Sequence, residues 1–212
     1  MLLLKIKGGK MDIKQADFVA SCVSSKNYPD FLGIEFAFVG KSNVGKSSLI
    51  NCVTTRRTLA KTSKTPGKTQ LINYFIINKS FYFVDLPGYG FAKVPAAIKK
   101  DWGRIIEEYL KSERKKLVFV LLDIRRVPSQ DDIELIEWLK HFEIDYKIIF
   151  TKVDKLSNNE RVKQLKEIKS KIDIDKERVL YFSSHTKQGR EELLNFIGMY
   201  IESGGNKVGR DE

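Results

Sequence analysis

Cysteine and histidine are almost missing from this chain of 212 residues, which has two of each: Cys22, Cys52, His141 and His185. None stands at metal-ligand spacing from another, so a zinc site is disfavoured, and the cysteines read as small apolar residues rather than as a disulfide. Long apolar runs are missing too. A membrane span needs about 18 or more consecutive apolar residues, and Met1-Leu2-Leu3-Leu4 is too short for a signal peptide and lacks a cleavage site. These absences point to a soluble, cytoplasmic protein. Acid is missing locally: no Asp or Glu stands between Glu35 and Asp85, while Lys41, Lys46, Arg56, Arg57, Lys61, Lys64, Lys68 and Lys79 all fall in that window. A second basic concentration, from Lys93 through Lys99, Lys100 and Arg104 to Lys111, Arg114, Lys115 and Lys116, is diluted by Asp101, Glu107, Glu108 and Glu113 and reads equally well as a solvated surface. With 38 Lys and Arg against 27 Asp and Glu, the net charge of +11 favours a polyanionic partner.

What is present is a chain of single-domain length, long enough to bury a core unaided. Residues 1–10 read as a loose leader, with Met11 an equally good start; 11–202 form one domain; the Gly-rich stretch 203–212 reads as a flexible tail. Apolar runs of strand length alternate with helical stretches, the pattern of an α/β fold with a mainly parallel sheet covered on both faces. The expected strands are Phe36–Val39, Phe81–Val84, Leu117–Leu122, Tyr146–Phe150 and Val179–Phe182. Leu71–Ile77 lies so close to the Phe81 run that the two should form a hairpin, making it the one antiparallel strand. Helical stripes are expected at Ile133, Ile136, Leu139 and Phe142, at Val162, Leu165, Ile168 and Ile172, and at Leu193, Phe196, Ile197, Tyr200 and Ile201. Residues 56–68 lack periodicity and read as a long basic loop.

The chemistry begins directly after the Phe36 strand. Gly40-Lys41-Ser42-Asn43-Val44-Gly45-Lys46-Ser47 satisfies G-x-x-x-x-G-K-[ST] and runs into the helical stretch Ser48-Leu49-Ile50-Asn51. Glycines let the backbone wrap a phosphate, successive N–H groups point inward, and the helix N-terminus adds positive potential. Lys46 should reach the β- and γ-phosphates, and Ser47 should ligate Mg²⁺. A second strand ends in Asp85-Leu86-Pro87-Gly88, where the acid can hold the metal through water and the Gly88 N–H can meet the γ-phosphate. Thr151-Lys152-Val153-Asp154 follows a third. The Asp154 carboxylate only accepts hydrogen bonds, so it matches the N1–H and 2-amino donors of guanine and repels adenine N1, while the Lys152 stem can cover the base. Phe182-Ser183-Ser184 opens a loop whose N–H groups could bond guanine O6, and His185 reads as a solvated loop residue.

With these segments in order the chain resembles the translation-factor-like GTPases. Together with Thr65-Pro66-Gly67-Lys68-Thr69-Gln70 and Asp85-Leu86-Pro87-Gly88-Tyr89-Gly90, it is similar more narrowly to the EngB/YihA (YsxC) family of bacterial ribosome-biogenesis GTP-binding proteins, within the TrmE-Era-EngA-EngB-septin-like superfamily. The similarity spans about Met11 to Ile201. It implies a P-loop NTPase three-layer α/β/α sandwich, a Ras-like G domain. It also implies that Thr69 of switch I joins Ser47 and Asp85 on Mg²⁺, that Gly67, Lys68, Thr69, Gln70 and Leu71 close over GTP or GDP, and that Lys46, Thr69 and Gly88 serve hydrolysis. Thr151 stands where broader GTPases carry Asn, and losing that amide should loosen the tie between base loop and P-loop. Tyr89 occupies the place of a water-orienting Gln, so intrinsic hydrolysis should be slow. Asn43 resembles the residue that recruits K⁺ in related GTPases, or only shapes the loop.

The resemblance thus implies a Mg²⁺-dependent GTPase switch in assembly of the large ribosomal subunit, binding ribosomal RNA and proteins, with a role in cell division and septation. No membrane partner is expected, and the chain should be a monomer. Charge alone shows only a preference for polyanions. Two rivals remain from the residues: a signalling GTPase acting on a protein effector, and a P-loop kinase, for which no substrate-reading segment is visible.

Overall fold

The structure, a computed structural model, describes residues 11–60, 71–90 and 96–205. Seven strands, β1 (Ala16–Cys22), β2 (Glu35–Gly40), β3 (Ile72–Ile77), β4 (Phe81–Asp85), β5 (Lys116–Asp123), β6 (Tyr146–Thr151) and β7 (Val179–Phe182), form one sheet in the order β1-β3-β4-β2-β5-β6-β7. Five helices surround it: α1 (Lys46–Val53), α2 (Ala96–Lys111), α3 (Gln130–His141), α4 (Asn158–Lys169) and α5 (Arg190–Glu202). Strands β4, β2, β5, β6 and β7 pair in parallel, whereas β3 runs against both β4 and β1. One strand therefore opposes the rest, and its hairpin with β4 is the one expected from the sequence.

Alternation along the strands sends successive side chains to opposite faces. From β2, Phe36 and Phe38 point to the face covered by α1 and α5, where they join Leu49, Ile50, Phe119, Leu193 and Ile197. Ala37 and Val39 point to the other face, against Tyr109 of α2, Ile136 and Leu139 of α3 and Ile168 of α4. These two clusters join the sheet to the helices that form the outer layers of the α/β/α sandwich.

Three details depart from the sequence expectations. Strand β1 was not expected: it is an edge strand with a register shift between Phe18 and Ala20, and Phe18 is 54% exposed, so no alternating apolar signal marks it. The α4 stripe begins one residue earlier. Val162 is 71% exposed, and Arg161 takes the inward position of the first turn, donating to the Val153 carbonyl at 2.9 Å; Arg161, Leu165, Ile168 and Ile172 then follow the 4-3-4 spacing of one helix face. Phe142 is likewise exposed, just beyond α3, with its ring against Trp138.

Part of the second basic concentration is internal. Arg114 bonds the fully buried Glu35, and Lys116 donates to the Leu110 and Ser112 carbonyls, where burial pulls its ammonium down to about 8. At the C-terminal end Ser203 and Gly205 bond back to the Met199 and Tyr200 carbonyls and close α5, so the tail expected from Ser203 is tied down through Gly205. The expected leader, 1–10, and residues 206–212 lie outside the described residues. Met11 and Ile13 are buried in the core. Both cysteines are free.

Candidate functional site

The sheet order places the carboxyl ends of β4, β2, β5, β6 and β7 in one row, where parallel α/β sheets bind their ligands. The loop after β2 is the centre of that row. Gly40 is required by close approach, since a Cβ there would lie 2.8 Å from the Leu121 carbonyl oxygen of β5. Gly45, at φ +110°, turns the chain into α1 through a conformation that costs other residues strain. Val44 is buried and its N–H meets the Lys41 carbonyl at 3.0 Å, so the loop folds over its own apolar pin. Asn43 is exposed at the loop tip in the left-handed region, and Ser48 is exposed on α1.

Lys46, the first residue of α1, ion-pairs with Asp85 at the end of β4, and neither side chain is much exposed. Each charge is thereby neutralised by a group that a phosphate or a cation would replace. Ser47 is half-buried beside Lys46. A hydroxyl and a carboxylate are hard oxygen donors suited to Mg²⁺. Among the described residues no three His, Cys, Asp or Glu side chains cluster as a metal site, so such an ion would need phosphate oxygens as well. The third expected ligand, Thr69, lies with Gly67, Lys68 and Gln70 outside the described residues; Leu71 is half-buried just before β3.

Leu86 and Pro87 are buried, and the Leu86 N–H bonds the Phe38 carbonyl at 3.0 Å, so these two residues fix where the chain leaves the sheet. Gly88 then lies against the P-loop. The Tyr89 carbonyl accepts from the Ser42 N–H at 2.9 Å, continuing the pairing beyond the strands. The Ser42 Oγ is buried without a hydrogen-bond partner among the described residues; an unmet buried hydroxyl costs about 1–3 kcal/mol. The Tyr89 ring points elsewhere. Its hydroxyl donates to Asp132 Oδ1 at 2.7 Å, and Asp132 Oδ2 accepts from the N–H and hydroxyl of Ser129, capping α3. Burial and the Asp132 carboxylate hold the Tyr89 phenol well above its ordinary value.

On the other side of the loop, the Thr151 hydroxyl donates to the Val44 carbonyl at 2.7 Å, with Leu122 O at 3.2 Å. Where losing the amide was expected to loosen the tie, the buried hydroxyl still reaches the P-loop directly. Lys152, at φ +59°, donates to the Asn43 carbonyl at 2.7 Å and to Asp123 Oδ2 at 2.9 Å. Burial works to raise the Asp123 carboxyl, but hydrogen bonds from Arg125 and Lys152 outweigh it and hold it below the usual carboxylate range. Val153 is buried beneath the base loop. Asp154 accepts from the Ser183 hydroxyl at 2.7 Å, and that bond is the main reason its carboxyl lies below its ordinary value. The Ser183 Oγ in turn accepts from the Thr186 N–H at 3.1 Å, Phe182 is buried in the core, and Ser184 is half-buried in the loop.

The structure thus brings the P-loop, Asp85, Gly88, the Thr151–Asp154 segment and Ser183 to one rim. Asp123, Arg125 and Asp132 belong to this arrangement and were not singled out from the sequence. Asp123 carried the same signal as Asp85, an acid closing an apolar strand. Asp132 carried none, since its partner lies 43 residues away.

Residues 35–152 match the family described as 50S ribosome-binding GTPase. The chain is 67% identical over 188 residues to the probable GTP-binding protein EngB of Fusobacterium nucleatum subsp. nucleatum, covering 88% of this chain and 97% of that protein. It is 50% identical to the Clostridium kluyveri protein of the same description, covering 91% and 98%. In fold it is similar to a crystal structure of a probable GTP-binding protein engB, with TM-score 0.62 at 23% identity over 80% of this chain and 99% of that one. It also resembles Era in complex with MgGDPNP and nucleotides 1506–1542 of 16S ribosomal RNA, with TM-score 0.60 at 19% identity over 85% and 59%. No helix among the described residues is long and apolar enough to cross a membrane.

Proposed function

The chain belongs to the EngB family of GTP-binding proteins and is a GTPase, and from that premise we propose that it is a GTP-controlled assembly factor of the large ribosomal subunit. The single observation that carries the switch reading is the alignment of the P-loop, Asp85, the Thr151–Asp154 segment and Ser183 along one rim of the sheet. Lys46 exchanges Asp85 for the β- and γ-phosphates, and Asp85 and Ser47, with Thr69, would hold Mg²⁺, which would supply charge neutralisation at the phosphates. Asp154, oriented by the Ser183 hydroxyl, pairs with guanine N1–H and its 2-amino group, and Thr151 and Lys152 hold that reader to the P-loop. Hydrolysis joins a water oxygen to the γ-phosphorus as the bond to the β–γ bridging oxygen breaks, giving GDP and phosphate. Tyr89 does not orient the water, since its hydroxyl is engaged by Asp132, and intrinsic turnover is slow. Asn43, at the loop tip, is the residue this reading assigns to recruit K⁺.

The ribosomal partner is supported by the printed family description and by the acid-free basic window between Glu35 and Asp85. The GTP-bound form binds ribosomal RNA and protein as a monomer in the cytoplasm, and hydrolysis releases it. Loss of this step impairs cell division and septation. The test is retention of the chain on purified large subunits at moderate salt. Retention with a non-hydrolysable GTP analogue and release with GDP is expected; equal, weak binding in both states overturns the assembly role.

A further inference from the structure

The Ser42 hydroxyl is the polar group of the site left without employment. It is shut in, with no partner among the described residues, although it belongs to the loop that wraps the phosphates. Gly88 covers it: a Cβ built on Gly88 would lie 3.1 Å from Ser42 Oγ and 3.5 Å from the Gly40 carbonyl oxygen. The cover is held by the bond from the Ser42 N–H to the Tyr89 carbonyl, while the Tyr89 side chain is anchored outside the site by Asp132. No side chain of the segment 88–90 therefore offers this hydroxyl a partner.

We propose that the Ser42 hydroxyl takes up the γ-phosphoryl group, donating to a γ-oxygen when the triphosphate lifts Gly88 from the P-loop. This rests on the reading of the rim as a guanine-nucleotide site and deepens it by assigning one side chain to the third phosphate alone. A buried hydroxyl without a partner is a standing cost, so moving Gly88 is favoured by any ligand that supplies the missing acceptor. A diphosphate has no γ-oxygen and leaves the hydroxyl covered. In hydrolysis Ser42 gives up no proton: it stabilises charge on the γ-oxygens as water adds to phosphorus and the bridging bond breaks, and the water proton leaves with the phosphate. Ser42 is then a catalytic residue that distinguishes GTP from GDP.

The test is Ser42→Ala, which removes one oxygen atom and adds no bulk. Equilibrium binding of fluorescent GDP and of a fluorescent non-hydrolysable GTP analogue is measured with single-turnover hydrolysis of labelled GTP. Expected are GDP affinity within about twofold of the parent chain and a loss of about tenfold in analogue affinity or in the hydrolysis rate, the size of a lost hydrogen bond to a charged group. Thermal unfolding of the nucleotide-free variant should be unchanged or higher, because an unpartnered hydroxyl has gone. Equal loss for both nucleotides, or no loss for either, overturns the assignment and leaves Ser42 a loop-shaping residue. If the parent chain binds neither probe, it is the nucleotide reading itself that fails.

Discussion

The two sides of the phosphate loop are built on opposite principles. On the base side, Thr151 and Lys152 bond P-loop carbonyls, Lys152 rests on a clamped Asp123, and Asp154 is already oriented by Ser183. Every polar group named there has a protein partner without a ligand. On the phosphate side, among the described residues, Lys46 and Asp85 pair with each other and the Ser42 hydroxyl has no partner. The base reader is thus preorganised, which lowers the ordering cost of binding, whereas the phosphate side must exchange partners, which lets it respond to what is bound.

That contrast breaks most visibly at Asp154. Asp154→Asn replaces an acceptor by a donor facing guanine N1–H, and GDP affinity should fall by ~100-fold or more with xanthine nucleotide taken in its place. Competition between the two bases against a fluorescent nucleotide reads this directly, and an unchanged preference would remove Asp154 from the role. A smaller effect is expected from Thr151→Val, which keeps the shape and removes the donor to Val44. GDP and GTP analogue should weaken together by about tenfold, because the tie serves both, and titration calorimetry of the two ligands is the measurement. Unequal losses would mean that base side and phosphate side are not separable.

The smallest change sharpens the comparison through pH. Ser183 is the main cause of the lowered Asp154 carboxyl, so Ser183→Ala returns it upward toward its ordinary value. Guanine recognition needs the ionised form, present above the carboxyl's pKa and lost as pH falls through it. The parent chain should hold GDP affinity further into acid than the variant; profiles of the same shape from pH 7.5 down to about 3 would show that Ser183 does not tune the reader.

How far the sequence could reach follows from the same physics. Strands β2 and β4 to β7 were legible because burial on both faces makes them continuous apolar runs, and the P-loop and Asp85 because their chemistry sits in contiguous residues. Strand β1 was hidden by Asp17 and the exposed Phe18 and Val19 of an edge. The Thr151 bond to Val44 spans 107 residues and the Lys152 bond to Asn43 spans 109. Spacing along the chain says nothing of contacts at that range. For the same reason Tyr89 was legible only as a departure from Gln, and its actual partner came from packing against α3.

The Asp132 carboxylate is a shared fastening: it starts helix α3 through Ser129 and holds the tyrosine that follows Gly88. Anyone wishing to retune this GTPase as a molecular sensor has unequal handles on it. A change at Asp132 loosens the start of a helix and the segment beside the P-loop together, so its effects on folding and on nucleotide binding arrive mixed. Tyr89→Phe leaves the Ser129 cap of the helix intact and removes only the fastening of the residue after Gly88, so one oxygen atom separates the two effects.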